Sequence, residues 1–287
     1  MEAEVIMRAL DLEVVDAVWE ALSHRIPVSV NSHPLGGGRK RISDRLCFRG
    51  ILIRLVTGCS WVDAESILDG AVSDTALRER RDEWIKAGVF DGLVEEALAG
   101  YDRIIEFDFS ETCIDGSLHK APCGGEGTGK NPTDRAKLGH KWSIGVDGNG
   151  IPFAWALGGA NRNDSRMLIP TLADALKRGL LEDIETLHLD RGYDSKITRN
   201  TCEQMGIDDA VIAKRRKRGQ SKQQRKPLHL GLRWTVERTN SWLSNFGQLR
   251  RNTDRKGHHR RAQFALAVVL LITAKLIDWR NRWSPAS

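Results

Sequence analysis

Apolar positions recur at helical spacing through the first hundred residues, and the pattern then changes to strand-like alternation. In LDLEVVDAVWEAL, Leu12, Val15, Trp19 and Leu22 share one face of a 3.6-residue helix. PVSVNSHPLGGGRKR follows, and its Pro and Gly residues mark a loop. DRLCFRGILIRLVTG predicts a second helix that stops at Gly58. SWVDAESILDG and SDTALRERRDEWIKAG complete a set of short helices, with Ser60 and Ser73 as N-caps. Residues 1–100 therefore read as a small all-α domain. Tight turns and the cluster Arg78, Arg80 and Arg81 suit a helix-turn-helix-like DNA module, and a plain helical packing domain fits the same pattern.

From about Tyr101 the period shortens to two. IIEFDFSETCIDGS predicts a strand that ends in a turn after Asp115. KWSIGVDGNGIPFAWALG predicts two strands around DGNG, a strong hairpin signal. DSRMLIPTLADALKRG predicts a helix closed by Gly179, with Asp164 as its N-cap. IETLHLDRGYDS predicts a short strand ending at Asp190, KITRNTCEQMG a helix with Asp194 as cap, and DDAVIAKR a further strand. A basic loop near 214–231 leads to HLGLRWTVERTNSWLSNF, an amphipathic helix. Strand, hairpin, helix, strand, helix, strand, helix is the order of an α/β domain. Its sheet would be mixed, antiparallel at the hairpin and parallel later, over residues 101–287.

Composition changes this picture little, but charge changes it a good deal. The chain has 287 residues, long enough for one large or two smaller domains, and 40% hydrophobic content supports a packed core. The apolar run Phe264–Ala274 is too short for a bilayer and predicts a buried helix. The N-terminus lacks a signal-peptide pattern, and five scattered cysteines with no CxxC pair predict a reducing cytoplasm. Net charge is +6 and the pI about 9.2. Between Ala210 and Arg261 stand 16 Lys and Arg against 2 acids, a net of +14, which leaves −8 for the rest. Charge segregated in that way faces a polyanion, or forms a solvated basic loop.

Against this basic background, three acids stand out. Asp115 and Asp190 fall where strands are expected to end, the usual place for functional groups in such sheets. An Asp there must be paired, hydrogen-bonded or bound to a cation, and capping a turn is the plain alternative. Glu237 is the only acid in its helix. Ser241, Ser244 and Gln248 follow on its face, while Val236, Leu243 and Phe246 would pack on the sheet. Arg233, one turn earlier, can pair with Glu237. Three carboxylates at one sheet edge suit hard divalent cations, and two such ions about 3.5–4 Å apart suit phosphodiester chemistry.

CIDGS, LDRGYDS and RWTVERTNSWLSNFGQLRR resemble the three acidic motifs of the DDE transposases of bacterial insertion sequences. The resemblance runs from about Ile114 to Trp279, and LIRLVTGCSWVD resembles the helical domain that precedes the catalytic core. It implies a ribonuclease H-like core with Asp115, Asp190 and Glu237 as metal and catalytic residues and Arg233 beside them. It implies Mg²⁺ or Mn²⁺, two ions, and double-stranded DNA as partner: the element's terminal inverted repeats and the target. It also implies a homodimer or higher assembly, and action on the nucleoid of a bacterial cytoplasm with no membrane. The broader signature of related enzymes has a Tyr three residues before the arginine and a Lys seven after the glutamate. Here those positions are Leu230 and Ser244.

Other candidates are weaker. Asp108 rivals Asp115 for the first acid, and Asp147 reads as a turn former. Asp164 has a possible supporting place near the metals beside its capping role. His119, His140 and His188 lack ligand spacing, and Cys113, His119 and Cys123 make a poor metal set. Trp242 reads as core, and Trp234 as core or a base-stacking platform. Lys130, Arg135, Lys137, Lys141, Arg238, Arg250, Arg251 and the loop with Lys214, Arg215 and Arg216 are the expected phosphate contacts.

Overall fold

The computed structural model describes residues 10–28, 40–213 and 233–283. They fall into two compact units, one from Met1–Ile105 with Leu243–Ser287 and one from Glu106–Trp242. The chain therefore does not divide once near residue 101. Its last segment returns to the N-terminal helices instead of completing the sheet domain.

The helical unit opens with α1 (Leu12–Ser23), α2 (Asp44–Thr57), α3 (Trp61–Ile67), α4 (Asp74–Lys86) and α5 (Val89–Ile104). The start signals act as expected. Ser60 and Asp63 form a reciprocal capping box, and the Ser73 hydroxyl accepts from the Ala76 N–H. Gly58 ends α2 in the left-handed region, at φ 74°. Helix α5 extends past Tyr101, where strand was expected, because Val94, Leu98 and Tyr101 keep helical spacing and are buried.

Of the polypeptide from Leu243 onward, α9 (Gly247–Arg250) and α10 (Gly257–Trp283) belong to this unit. Helix α10 is long and apolar enough to cross a membrane, longer than the apolar run alone suggested. Its stretch from Phe264 to Ile272 is buried, and it packs against α1, α4 and α5, as a core helix does.

Arg80 and Arg81 are not offered to a partner. Both are buried. Arg80 bonds Asp44 and the Ile42 carbonyl, and Arg81 bonds Asp82 and reaches Asp254. Asp254, 8% exposed, is the carboxylate on which this interior turns. Its Oδ1 lies 3.3 Å from Arg54 Nη2 and 3.4 Å from Arg81 Nη1, and Gln263 bonds its Oδ2.

The second unit is a mixed sheet with strand order β2-β3-β1-β5-β6, and β4 on the outer edge of β3. The strands are β1 (Thr112–Lys120), β2 (Gly129–Lys130), β3 (Leu138–Val146), β4 (Pro152–Gly159), β5 (Thr186–Leu189) and β6 (Asp209–Ile212). Pairing is antiparallel among β1 to β4 and parallel for β1–β5 and β5–β6, the expected mixed sheet, antiparallel at the hairpin and parallel later. The helices of this unit are α6 (Asp164–Lys177), α7 (Lys196–Gln204) and α8 (Arg233–Ser244).

Strand β1 does not end in a turn after Asp115. It continues to Lys120 because β3 pairs with it as far as Gly139, whereas the partnership with β5 stops at Ile114↔Leu189. The caps of α6 and α7 are Asn163 and Ser195, each one residue from the position expected at Asp164 and Asp194. Helix α8 ends at Ser244. Gln248 thus leaves the polar stripe and is buried in α9.

Two predictions follow from buried carboxylates. Asp254→Asn leaves the Arg54 guanidinium, 4% exposed, without its carboxylate partner. The expected loss is about 3 kcal/mol of unfolding free energy by urea denaturation, and an unchanged midpoint refutes the assignment. Asp147, in the β3–β4 turn, is fully buried and accepts from the backbone N–H groups of Ile151 and Asp108. Burial pushes its pKa from 3.8 up to about 6, against the pull of those hydrogen bonds. The folded state then holds the proton more tightly than the unfolded chain. Stability should fall as pH rises from about 4 to about 6, by up to about 3 kcal/mol, and Asp147→Asn should flatten that slope in pH-resolved unfolding.

Candidate active site

The site begins with register. Ile114 of β1 lies beside Leu189 of β5, and those are the last parallel partners. Asp115 and Asp190 are the next residues, so two carboxylates leave neighbouring strands at the same level. Both are half-buried. The Asp115 carboxylate accepts from the Gly116 N–H at 2.8 Å. Asp190 caps a single 3-10 turn and accepts from the Gly192 N–H at 2.6 Å. Asp108, the rival for the first acid, lies before β1 begins, and its backbone N–H meets Asp147 near the hairpin turn.

Alternation sorts the two sheet faces. Asp115 and Ser117 of β1 stand opposite Ile144 and Trp142 of β3, so these four share a face. Trp142 is fully buried and its indole N–H donates to Asn240 of α8 at 2.7 Å. Two more bonds tie α8 to the hairpin: Arg238 to the Asn149 carbonyl, and the Thr239 hydroxyl to the Gly150 carbonyl. The helix that carries Glu237 therefore covers the face from which Asp115 projects. Val236 and Thr239 are buried in that contact, and Glu237 is exposed on the helix. Among the described residues, no three His, Cys, Asp or Glu side chains are gathered as a metal-holding group. Asp115 and Asp190 are brought together, and Glu237 is not gathered with them.

The opposite face holds a residue that sequence reasoning undervalued. Gly116, Lys141 and Ser143 lie on that side, and the Ser143 hydroxyl accepts from Thr171 of α6. Asp164, the first residue of α6, takes the Lys141 ammonium at 2.7 Å. Its carboxylate lies between the two acidic motifs. A Cβ on Gly116 would come within 2.4 Å of Asp164 Oδ1, and a Cβ on Gly192 within 3.5 Å of Oδ2. The Gly192 Cβ would also meet Asp190 Oδ1 at 2.8 Å. These contacts give physical reasons for the glycines in CIDGS and LDRGY. Tyr193 is fully buried beneath this cluster. Burial raises its hydroxyl pKa well above the ordinary value, and the charges of Asp115, Asp164 and Asp190 raise it further.

Lys141 is thus not a phosphate contact. It is 5% exposed, and its ammonium is held by Asp164 and the Arg162 carbonyl. Arg238 bonds the hairpin and stacks over Trp234 at 4.2 Å and Trp242 at 4.7 Å, which makes it a docking residue of α8. Trp242 is core, as expected, and Trp234 is 50% exposed. His119 stacks on Trp142 at 3.5 Å, and burial drives its pKa down to about 2, as befits a neutral core residue. Arg250, Arg251, Lys130, Arg135 and Lys137 are exposed, while Ser244 is half-buried. Lys214, Arg215, Arg216, Leu230, the basic loop and the Arg233 side chain lie outside the described residues.

Asp115 and Asp190 suit a hard divalent cation. Both offer carboxylate oxygens from rigid strand ends, and their joint field already reaches Tyr193. Comparisons with known proteins point the same way. The family model described as "Transposase DDE domain" matches residues 106–273, and "Putative transposase of IS4/5 family" matches residues 14–94. The chain is 41% identical over 136 residues to "Putative transposase for insertion sequence element IS402" of Burkholderia cepacia, covering 45% of this chain and 60% of that protein. It is 32% identical over 117 residues to "Insertion element IS402 uncharacterized 16.2 kDa protein" of the same organism, covering 41% and 79%. The chain thus spans less than two thirds of the first relative. Among solved structures it is similar to the Mos1 transposase paired-end complex with left transposon end. That match has 13% identity, covers 65% and 62% of the two chains, and has a TM-score of 0.24, too low to carry an argument. With the first match spanning more than half of the sequence and enclosing Asp115, Asp190 and Glu237, the chain belongs to the transposase DDE domain family.

Proposed function

We propose that this chain is the transposase of a bacterial insertion sequence. It binds the terminal inverted repeats of its element as double-stranded DNA, cleaves phosphodiester bonds at the ends, and transfers the 3′-OH ends into target DNA. The observation that carries this reading is the pairing of Asp115 with Asp190 at one sheet level, beneath the face that α8 and its Glu237 cover. Asp115, Asp190 and Glu237 would hold Mg²⁺ or Mn²⁺, which would supply activation of an attacking water and stabilisation of the leaving oxygen. Arg233 orients Glu237 or contacts DNA. Two ends must be joined, so the active form is a homodimer or higher, working on the nucleoid in the cytoplasm.

This chain's own residues supply the preorganisation. The Gly116 and Gly192 N–H groups hold Asp115 and Asp190 in place before DNA arrives. Asp164, paired with Lys141, abuts strand β1 at Gly116 and the turn at Gly192 from the α6 side. Asp164 is thereby a positioning residue, with its charge already committed.

Asp190→Asn keeps an oxygen for the Gly192 N–H but removes a carboxylate donor. End cleavage in magnesium should fall by about 10³-fold or more, while binding to end DNA in chelator persists. Full cleavage by Asp190→Asn or Glu237→Gln sinks the proposal. Gly116→Ala forces Asp164 to move, at a cost of about 1–3 kcal/mol. It should slow cleavage as well as lower the melting temperature, and wild-type rates in that variant would rule out the positioning role of Asp164.

A further inference from the structure

The helical unit contains a cleft of about 510 Å³ that the transposase site does not use. Six cations line it: Arg54, Arg78, Arg81, Arg251, Arg255 and Lys256. Asp254 is the acid among its lining residues. The floor is rigid. The guanidinium groups of Arg54 and Arg81 lie over the Trp61 ring, at 4.6 Å and 5.1 Å from its centroid, and both reach the one buried Asp254 carboxylate. Arg81 also pairs with Asp82 at 2.8 Å, so the two floor guanidinium groups meet two carboxylates and the floor is close to neutral. Arg54 Nε is buried there with no hydrogen-bond acceptor among the described residues.

The rim differs from the floor. Arg251, Arg255 and Lys256 are exposed and stand on the turn between α9 and α10, and Asp254 in that same turn is held from below by Arg54, Arg81 and Gln263. The buried network thus fixes the backbone from which the three rim cations project.

A small-molecule pocket is mostly apolar, with a few polar groups for orientation. In this cleft ten of the thirteen lining residues carry charged or polar side chains. Five of its six cations are arginine, whose forked donors match phosphate oxygens. We propose that the cleft binds the phosphodiester backbone of DNA through Arg251, Arg255 and Lys256, with the Arg54–Trp61–Arg81 floor as the support that holds their turn in place. This deepens the transposase reading and rests on it for the identity of the polyanion. It also relocates the DNA contact of the helical unit from the buried Arg80 and Arg81 to the α9–α10 turn.

The test uses the full chain, a fluorescent DNA duplex of about 30 base pairs, chelator in place of metal, and anisotropy over a range of salt. Each phosphate contact contributes a slope of about 0.9 in log affinity against log salt. The triple variant Arg251→Gln, Arg255→Gln, Lys256→Gln should lose about 2.7 of that slope and bind at least about tenfold more weakly at low salt. The charge-preserving variant Arg251→Lys, Arg255→Lys should keep the slope. A control removing three exposed cations elsewhere, Arg103→Gln, Arg280→Gln, Arg282→Gln, should change it far less. The proposal is overturned if the cleft variant, melting as the wild type does, keeps its slope, or if the control loses as much. It is equally overturned if the cleft variant loses binding to polyglutamate in place of DNA, or loses stabilisation by inorganic phosphate while its DNA binding is unchanged. Chelator removes the chemistry from this measurement. A chain that binds through the cleft but never cuts refutes the transposase reading alone, and one that cuts while the cleft variant keeps its slope refutes the cleft alone.

Discussion

Strand β1 is hydrogen-bonded on both edges, but over unequal lengths, and the geometry of the candidate site depends on that inequality. The antiparallel edge runs to Lys120, whereas the parallel edge stops at Ile114. Asp115 is thus fixed inside a strand on one side and released beside Asp190 on the other. Period-2 alternation then gives adjacent residues opposite tasks. Asp115 turns toward the face that α8 covers, and Gly116 turns toward α6, where Asp164 occupies the space of its missing side chain. A one-residue slip in register would exchange these faces. The buried Trp142–Asn240 bond and the buried Lys141–Asp164 pair, on opposite faces, each oppose such a slip.

The α6 face also shows how a charge is kept inside a sheet. Lys141 stands in a strand buried along nearly its whole length, and a bare ammonium there would cost several kcal/mol. Asp164 neutralises it. The same carboxylate abuts both motif glycines, so one ion pair couples α6, β1, β3 and the turn after β5. Tyr193 records the result, since its hydroxyl feels Asp115, Asp164 and Asp190 together.

Much of this was legible in the amino-acid sequence, and the remainder was hidden for identifiable reasons. Helix starts were readable because Ser60 and Ser73 satisfy local backbone donors, and the hairpin because Asp-Gly-Asn-Gly is local as well. Asp115 and Asp190 were readable as a pair of acids after apolar strands. The length of β1 was not, because it depends on pairing with a strand some twenty residues away. The role of Asp164 was hidden because Asn-Asp-Ser before a helix already has a cheap explanation as a cap. Two signals pointed further: a glycine close behind each strand acid, and a lone lysine amid the strand residues His140, Trp142 and Ile144. The return of α10 to the N-terminal helices was also beyond local pattern. Its apolar surface runs all round, which says that it is buried but not against what.

Charge counting misled in a related way. The segment from Ala210 to Arg261 holds 16 basic residues, and a sum treats them alike. Burial separates them. Arg260, 4% exposed, bonds the Asp254 carbonyl at 2.5 Å, and Arg238 is spent on docking α8. Arg250, Arg251, Arg255 and Lys256 are exposed. Cations of the first kind hold the polypeptide, and their field at the surface is reduced by the partners they meet. Cations of the second kind keep full access to solvent and to a polyanion. The basic region of this chain is therefore two populations. Within the helical unit they are stacked, with Arg54 and Arg81 over the Trp61 ring and Asp254 tying the floor to the turn that carries the rim. A turn held from below loses less entropy on binding than a free loop, so exposed arginines there would bind a polyanion more effectively than the same number on a free loop.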